Sequence, residues 1–496
     1  MLRPTIGLAL GVAIVAVLGL LRLDDAFGGD QALFLIAGKE LAHGSVLYRD
    51  FWDLKQPAIF AFYAAADTFG GFRPIAVHAF ELIWNLTLGV VAWAALRPRL
   101  RRPDLATAAV LAIVGAPYAF ADGSALTQVE GLVGLPLVCC CVATITAFEA
   151  GRGSRAVVLA VAGGLAAGIA ILFKILFVFI VLAILGVVVF RHRRMALVSA
   201  WAAGAAIPLV LFALSAAHDG TLAEVVTTFF VLPSRIVATA GAAPLQRLAD
   251  SVRWFTIGFG FLVPLGVAGS VAPRDARVAL WRDVCVAYLA AAVVVVLLQL
   301  QSWWPYHLLL FVPPLGLLAT LGVDWIVAQL RGGGARRNIA LATLACATIA
   351  LLPSVATVAK SAARIARDRP FASTVALERY RMRSNGGYAQ AADVASFLRE
   401  PENARGSVYV CGDPRVYLIA GRDQAVPING WALELYPPER WRLLETQFAA
   451  IEPRFVFISN DYATLVRARS HVIASRLDAA YAVARTQREG TWYRAR

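Results

Sequence analysis

The sequence predicts an all-α polytopic membrane protein that carries a small α/β domain at its C-terminal end, and three observations lead there. Of 496 residues, 59% are hydrophobic and 16% charged, against about 45–50% and about 25% in an ordinary soluble domain. The apolar residues form long runs separated by short Arg-rich or Gly/Pro-rich breaks up to about Lys360. Beyond that point the chain turns charged and mixed, which divides it into a membrane part, 1–359, and an extracytoplasmic domain, 360–496.

The formal net charge is +14. In a soluble protein that excess would suggest nucleic acid, but the arginines here sit in short clusters between apolar runs and read as topology signals. Membrane lipids, not nucleic acid, are the expected surroundings. Of the six cysteines, Cys139, Cys140, Cys141, Cys285 and Cys346 lie in apolar runs and Cys411 in the polar tail, so neither a disulfide framework nor a zinc spacing is present.

A helix needs about 20 apolar residues to cross a hydrocarbon core of about 30 Å. On that test about 11 spans are expected. They are Ile6 to Leu21, Ile75 to Leu96, Leu105 to Phe120, Val129 to Phe148, Ala156 to Phe173, Ile175 to Phe190, Ala196 to Ala217, Trp254 to Val271, Val284 to Leu300, Tyr306 to Leu330 and Ile339 to Val358. Arg3 precedes the first, and no small-x-small cleavage site follows before Asp24 and Asp25, so it reads as an uncleaved span.

The run Pro57 to Phe69 is too short to cross at about 1.5 Å per residue. Charge gives the same answer. With that run in the interface, Arg97 to Arg102, Arg152/Arg155, Arg191/Arg193/Arg194, Arg274/Arg277/Arg282 and Arg331/Arg336/Arg337 all fall on the cytoplasmic side. The N-terminus is then cytoplasmic, in a bacterial inner membrane. Outside lie a first loop, 22–74, with two interfacial or amphipathic helices (Gln31 to His43 and Pro57 to Phe69), a second loop from His218 to about Arg253, and the tail.

In the tail, Tyr388 to Arg399 and Pro438 to Ile451 read as helices, and Ser407 to Cys411 and Arg454 to Ser459 as short buried strands. No Gly-rich phosphate loop, HExxH or GxSxG motif occurs there. The domain reads as a cap or an acceptor-positioning element.

Chemistry-bearing residues cluster at the expected outer surface. Asp30 follows Gly28-Gly29 just past the first span and starts a helix, where it is either a general base for a lipid-borne substrate or an N-cap. Glu130 lies at the outer end of the fourth span, where an acid is costly unless hydrated, paired or functional. Asp122 is on the loop before it, with plain loop polarity as the simpler account. Lysine occurs only at Lys39, Lys55, Lys174 and Lys360. Lys174, between two apolar runs, either snorkels or holds a phosphate as a compact charge, and Lys55, just before the second interfacial helix, admits the same two readings. The turn containing Trp303, Trp304, Tyr306 and His307 supplies interfacial aromatics. His307 is either a donor to phosphate or sugar or a structural histidine.

Taken together, Gly29-Asp30, Tyr48-Arg49-Asp50-Phe51, Lys55-Gln56-Pro57, Glu130, Gly164 to Lys174, and Tyr306-His307-Leu308 to Pro313-Pro314 resemble, in order and topology, the GT-C glycosyltransferases. The likeness is to the bacterial relatives of protein O-mannosyltransferases and lipid A aminoarabinose transferases, and it covers essentially the whole chain. The resemblance implies a polyprenyl-phosphate sugar donor and a helical bundle with first-loop helices over a lateral lipid opening. It implies that Asp30 deprotonates or orients the acceptor hydroxyl, that Lys55 and Lys174 neutralise the leaving lipid phosphate, and that Glu130 orients a sugar, with Asp122, Tyr306 and His307 as further substrate contacts and inversion at the anomeric carbon. The acceptor class, whether protein, lipid or glycan, is left open. Gln31 stands where the family has a second acid, and Phe173 where it has Thr. The first departure bears on metal: Asp30 alone of that pair remains to hold a divalent cation, and no other cofactor is implied.

Two rival classes are a lipid-linked sugar flippase or transporter of the envelope polysaccharide pathway and a non-catalytic assembly protein. A carrier calls for polar residues near mid-bilayer and internal repeats with broken helices. Here the notable charges sit at the outer ends of spans, and no convincing repeat is visible.

Overall fold

The computed structural model describes residues 4–151, 153–240, 243–271, 276–300 and 302–496. Arg3, Arg152, Arg274 and Gln301 lie outside them. The chain divides into two compact units, one of Met1–Asp24, Ile75–Leu214 and Ala243–Arg367, the other of Asp25–Pro74, Ser215–Ala242 and Asp368–Arg496.

The first unit is built from apolar helices. Among the described residues nine helices are long and apolar enough to cross a membrane: Pro74–Leu96, Pro103–Phe120, Val129–Glu149, Ser154–Phe173, Ile175–His192, Met195–His218, Val278–Leu298, Pro305–Leu330 and Ala335–Ala372. The Pro4–Leu20 helix is apolar but shorter, at 17 residues. The span expected over Trp254 to Val271 is instead a pair, Leu245–Phe259 and Leu262–Val271, bent by 81°. Gly258, Gly260 and Pro264 crowd that bend, and neither Gly nor Pro favours continuing a helical ladder. Large apolar side chains such as Phe190, Val158 and Leu214 are exposed on the helices' outer faces, as a lipid-bathed surface requires.

Close helix approach explains the glycines of the Gly164 to Lys174 stretch. A Cβ on Gly164 would lie 1.8 Å from the Trp201 carbonyl oxygen, and one on Gly204 would lie 2.2 Å from that of Val161. The Ser154–Phe173 and Met195–His218 helices thus cross backbone to backbone, the use to which membrane helices put small residues. Several Arg-bearing breaks are tied together. Arg99 donates to Glu149 at 2.9 Å, Arg191 pairs with Asp283, and the Arg101 and Arg102 N–H groups donate to Asp324 at 3.3 and 3.0 Å.

The second unit gathers the first loop, a helical segment over Leu222–Val226, Thr227–Val231 and Leu232–Ala240, and the tail. The Gly29–Ala42 and Pro57–Ala66 helices match the two expected in the first loop, but both are heavily buried. Phe34 packs edge-on against Phe60 and Tyr63 at 6.1 and 5.7 Å. The expected second loop is largely helical, over Leu222–Val226, Thr227–Val231 and Leu232–Ala240.

The tail holds a four-stranded sheet: β1, Val408–Cys411; β2, Phe455–Ser459; β3, Tyr481–Gln487; β4, Gly490–Ala495. Its order is β1-β2-β4-β3, with β1 parallel to β2 and the other pairs antiparallel. Helices Gly386–Ser396 and Pro438–Ile451 lie where the pattern placed them. The β3–β4 hairpin went unread in the sequence because β3, whose apolar residues Tyr481 to Ala484 precede Arg485 to Gln487, lacks the apolar/polar alternation of a half-buried strand.

Candidate active site

Two sets of buried polar side chains carry the residues singled out above, one in each unit. In the first unit the helix Ser154–Phe173 stops at Lys174, whose extended backbone (φ −164°, ψ 124°) breaks it from the next helical segment. The break frees the lysine side chain from a helix face. Lys174 Nζ donates to Glu130 Oε1 at 2.7 Å and to Gln299 Oε1 at 2.5 Å. Glu130 is 1% exposed, in the first turn of the Val129–Leu132 helix. His307 Nε2 lies 3.8 Å from the same carboxylate oxygen, and Tyr306 stacks edge-on against the His307 ring at 4.7 Å. Three helix ends and the Pro305–Phe311 segment, through His307, therefore converge on one buried ion pair. A carboxylate and an ammonium out of water are tolerated when paired and hydrogen-bonded, and the 18% exposure of the Lys174 side chain leaves the ammonium partly accessible.

Asp122 stands apart from this set. It is exposed, and its carboxylate accepts the Ser124 N–H at 3.0 Å, closing its own turn.

In the second unit the helix begins one residue before Asp30. Gly28 occupies the cap position, its N–H donating to Gln31 Oε1 at 2.5 Å, and Asp30 lies in the first turn. The capping account of Asp30 is therefore replaced: its Oδ1 accepts the indole N–H of Trp431 at 2.8 Å. Lys55 sits in a tight turn in which its N–H donates to Asp53 Oδ1 at 2.8 Å and its carbonyl accepts from Tyr48 Oη at 2.9 Å. Its ammonium lies 5.9 Å from the centre of the Phe34 ring.

Asp53, which the sequence did not single out, is 8% exposed and accepts from Asn429 Nδ2 at 3.2 Å. Burial pushes its carboxyl above the usual carboxylate range, against the pull of the Lys55 charge and with a further push from the Asp30 charge. Nearby, Trp52 Nε1 donates to Glu224 at 3.0 Å, Arg440 pairs with Glu224, and the Arg440 guanidinium stacks 4.2 Å from the Trp52 ring centre. These contacts clamp the first loop to the tail within this unit.

A metal does not fit the first-loop residues. Among the described residues no three His, Cys, Asp or Glu side chains are grouped to hold one. Of the two residues at the expected position, Gln31 accepts the Gly28 N–H on its one oxygen and Asp30 accepts the Trp431 indole N–H on Oδ1.

Sequence reasoning also missed Gln299, Trp431 and Glu81. Glu81 was visible as an acid inside an apolar run, whereas nothing near Asp30 in the sequence points to Trp431.

No protein-family model matches the sequence, and no curated protein matches it. Solved structures do. The chain is similar to ArnT from Cupriavidus metallidurans, solved bound to undecaprenyl phosphate, with a TM-score of 0.60, 18% identity, and coverage of 98% of this chain and 97% of that one. It is also similar to the Archaeoglobus fulgidus oligosaccharyltransferase in its apo form, with a TM-score of 0.51, 11% identity, and coverage of 98% and 74%. The same enzyme tethered to an acceptor peptide gives 0.50 and 12%, with coverage of 98% and 74%. The fold is that of the GT-C glycosyltransferases, a multi-pass membrane bundle followed by a small α/β domain.

Proposed function

We propose that this chain transfers a sugar from a polyprenyl-phosphate donor to an acceptor on the extracytoplasmic face of the inner membrane. The observation that carries the reading is the Glu130–Lys174 pair. A lysine released by a helix break, held by a buried carboxylate and partly accessible, is a preset site for a lipid phosphate. ArnT, whose fold this chain shares, was solved with undecaprenyl phosphate, which supports a ligand of that class. An apolar cleft of about 340 Å³ in the same unit, lined by Leu18, Leu111, Phe120, Phe261, Leu265 and Leu351, has the chemistry of a site for an isoprenoid chain.

In this reading the acceptor hydroxyl attacks the anomeric carbon, the bond from that carbon to the phosphate oxygen breaks, and the electron pair leaves on the lipid phosphate. Lys174 balances the charge that develops there, where fixed electrostatics act most strongly. In the first unit Glu130 keeps Lys174 in place, with His307 beside the same carboxylate and Tyr306 against His307. For Asp30 the proposed role is to take or orient the acceptor proton, with Trp431 fixing its carboxylate. Inversion follows from this single displacement. The membrane part is taken as 1–359 and the outer domain as 360–496.

The test is transfer by the purified protein from a radiolabelled polyprenyl-phosphate sugar to a panel of peptide, lipid and glycan acceptors. Donor consumed and label recovered on an acceptor is the expected result. Transbilayer movement of the donor in vesicles without any transfer would establish a flippase instead.

A further inference from the structure

The Pro74–Leu96 helix is apolar, yet it carries Glu81 at 3% exposure, a costly placement for a carboxylate unless its oxygens are engaged. They are. Glu81 Oε1 accepts the Thr127 N–H at 3.2 Å and Asn85 Nδ2 at 3.3 Å, and Oε2 lies 3.4 Å from His78 Nδ1. Asn85 also donates to the Tyr118 hydroxyl at 3.2 Å.

Thr127 is the point of interest. It is 1% exposed and adopts φ +54°, a left-handed conformation uncommon for any non-glycine residue and an outlier for a β-branched one. Such a backbone persists only when its surroundings over-determine it, and it clusters at functional sites. Gln128 follows in an extended conformation, and the helix bearing Glu130 starts at Val129. One turn beyond Glu81 on the same helix, Trp84 Nε1 donates to the Leu132 carbonyl at 2.8 Å. The Pro74–Leu96 helix therefore grips the Glu130 turn at both ends, its N–H side through Glu81 and its C=O side through Trp84.

We propose that Glu81 is a positioning residue: it locks the left-handed Thr127 turn and thereby sets the carboxylate of Glu130 against Lys174. This rests on the transfer reading for its effect on activity, but not for its effect on geometry. The two are read separately.

The chain has lysine only at 39, 55, 174 and 360, so acylation of Lys174 by a small water-soluble amine reagent is assignable by mass spectrometry. Glu81→Leu removes the acceptor for the Thr127 N–H, while Glu81→Gln keeps an oxygen there. The Leu variant is expected to change the Lys174 acylation rate about as much as Glu130→Gln does, and the double variant no further, since both act through one carboxylate. Glu81→Gln should remain within about threefold of wild type, because the hydrogen bond to the strained turn survives. In transfer, Glu81→Leu should lower kcat by at least about tenfold in the wild-type background and by less than about threefold in the Glu130→Gln background. Acylation rates unchanged by Glu81→Leu, or changes that simply add in the double variant, overturn the proposal. A wild type that transfers no sugar overturns the functional reading alone, since the acylation cycle still decides the role of Glu81.

Discussion

Trp431 donates its indole N–H to Asp30 Oδ1 at 2.8 Å across 401 residues of chain. This hydrogen bond from the tail orients the carboxylate of the acid proposed to act on the acceptor. Asp30→Asn keeps shape but loses the negative charge. A base acting on the acceptor contributes a factor of about 100 to 10,000, so this variant should fold and lose nearly all transfer. Trp431→Phe keeps the ring and removes only the donor, and is expected to lower kcat by about tenfold, in line with about 1.5 kcal/mol for a hydrogen bond to a charged group. Turnover of Asp30→Asn within a few-fold of wild type would move the role of principal acid to another carboxylate, with Glu130 and Asp53 next to be tested.

The Glu130–Lys174 pair separates stability from chemistry. Lys174→Met strands a buried carboxylate, which costs about 3–5 kcal/mol, and should lower the Tm in detergent. Removing both charges, as Lys174→Met with Glu130→Gln, should restore most of that Tm because neither ion is left unpaired. The double variant should still fail to bind undecaprenyl phosphate or transfer sugar. Recovery of transfer together with Tm would show that the pair serves packing alone. Lys174→Arg should retain part of the activity, since charge survives while the compact geometry does not.

The bundle was legible because a lipid-crossing helix needs a long apolar run, and the expected spans other than Trp254 to Val271 each meet one apolar helix. What composition could not show was where such a run breaks. Gly258, Gly260 and Pro264 sit inside one run yet turn the chain by 81°. In the tail β1 and β2 are continuous buried runs and could be read, whereas β3, with Arg485, Thr486 and Gln487 toward one end, could not. The same division holds for the site. Asp30, Glu130 and Lys174 stood out as charges beside apolar segments, but their partners Trp431, Gln299 and His307 come from distant segments, and spacing carries no information about such pairs. Asp53 was hidden in plain view, two residues from Lys55, because burial and not type makes it unusual.

Asp53 has a pH consequence with a definite sign. Burial raises its carboxyl above the ordinary value of 3.8. The unfolded chain therefore loses this proton at lower pH than the folded protein does. Across the interval between the two values the folded state binds more protons, so stability falls as pH rises through it. Asp53→Asn abolishes the titration while keeping an oxygen toward Asn429. The difference in Tm between variant and wild type should shift in the variant's favour from about pH 4 upward, starting from the ordinary carboxylate range. A difference independent of pH would show that Asp53 titrates normally.

The last prediction concerns the proposed orientation, which rests on charge and has a consequence for every residue above. The break after the Pro74–Leu96 helix is joined to the end of Val129–Glu149 through Arg99 and Glu149, and the break after Ile175–His192 to the Val278–Leu298 helix region through Arg191 and Asp283. Arg101 and Arg102 are held by Asp324 of Pro305–Leu330. These helix ends share one end of the bundle, and they carry the arginine clusters Arg97 to Arg102 and Arg191 to Arg194. Positive residues flanking spans are retained on the cytoplasmic side. Lys174, Glu130 and His307 lie at opposite ends of their helices from these breaks, which in this proposal puts them outside, where lipid-linked sugars are consumed. Alkaline phosphatase fused after Arg496 should be active, and fused after Arg194 inactive, because the enzyme folds only where its disulfides form. The opposite pattern would put the Glu130–Lys174 pair on the cytoplasmic side and remove the extracytoplasmic acceptor from the reading, while leaving the geometry of the pair and its grip by Glu81 intact.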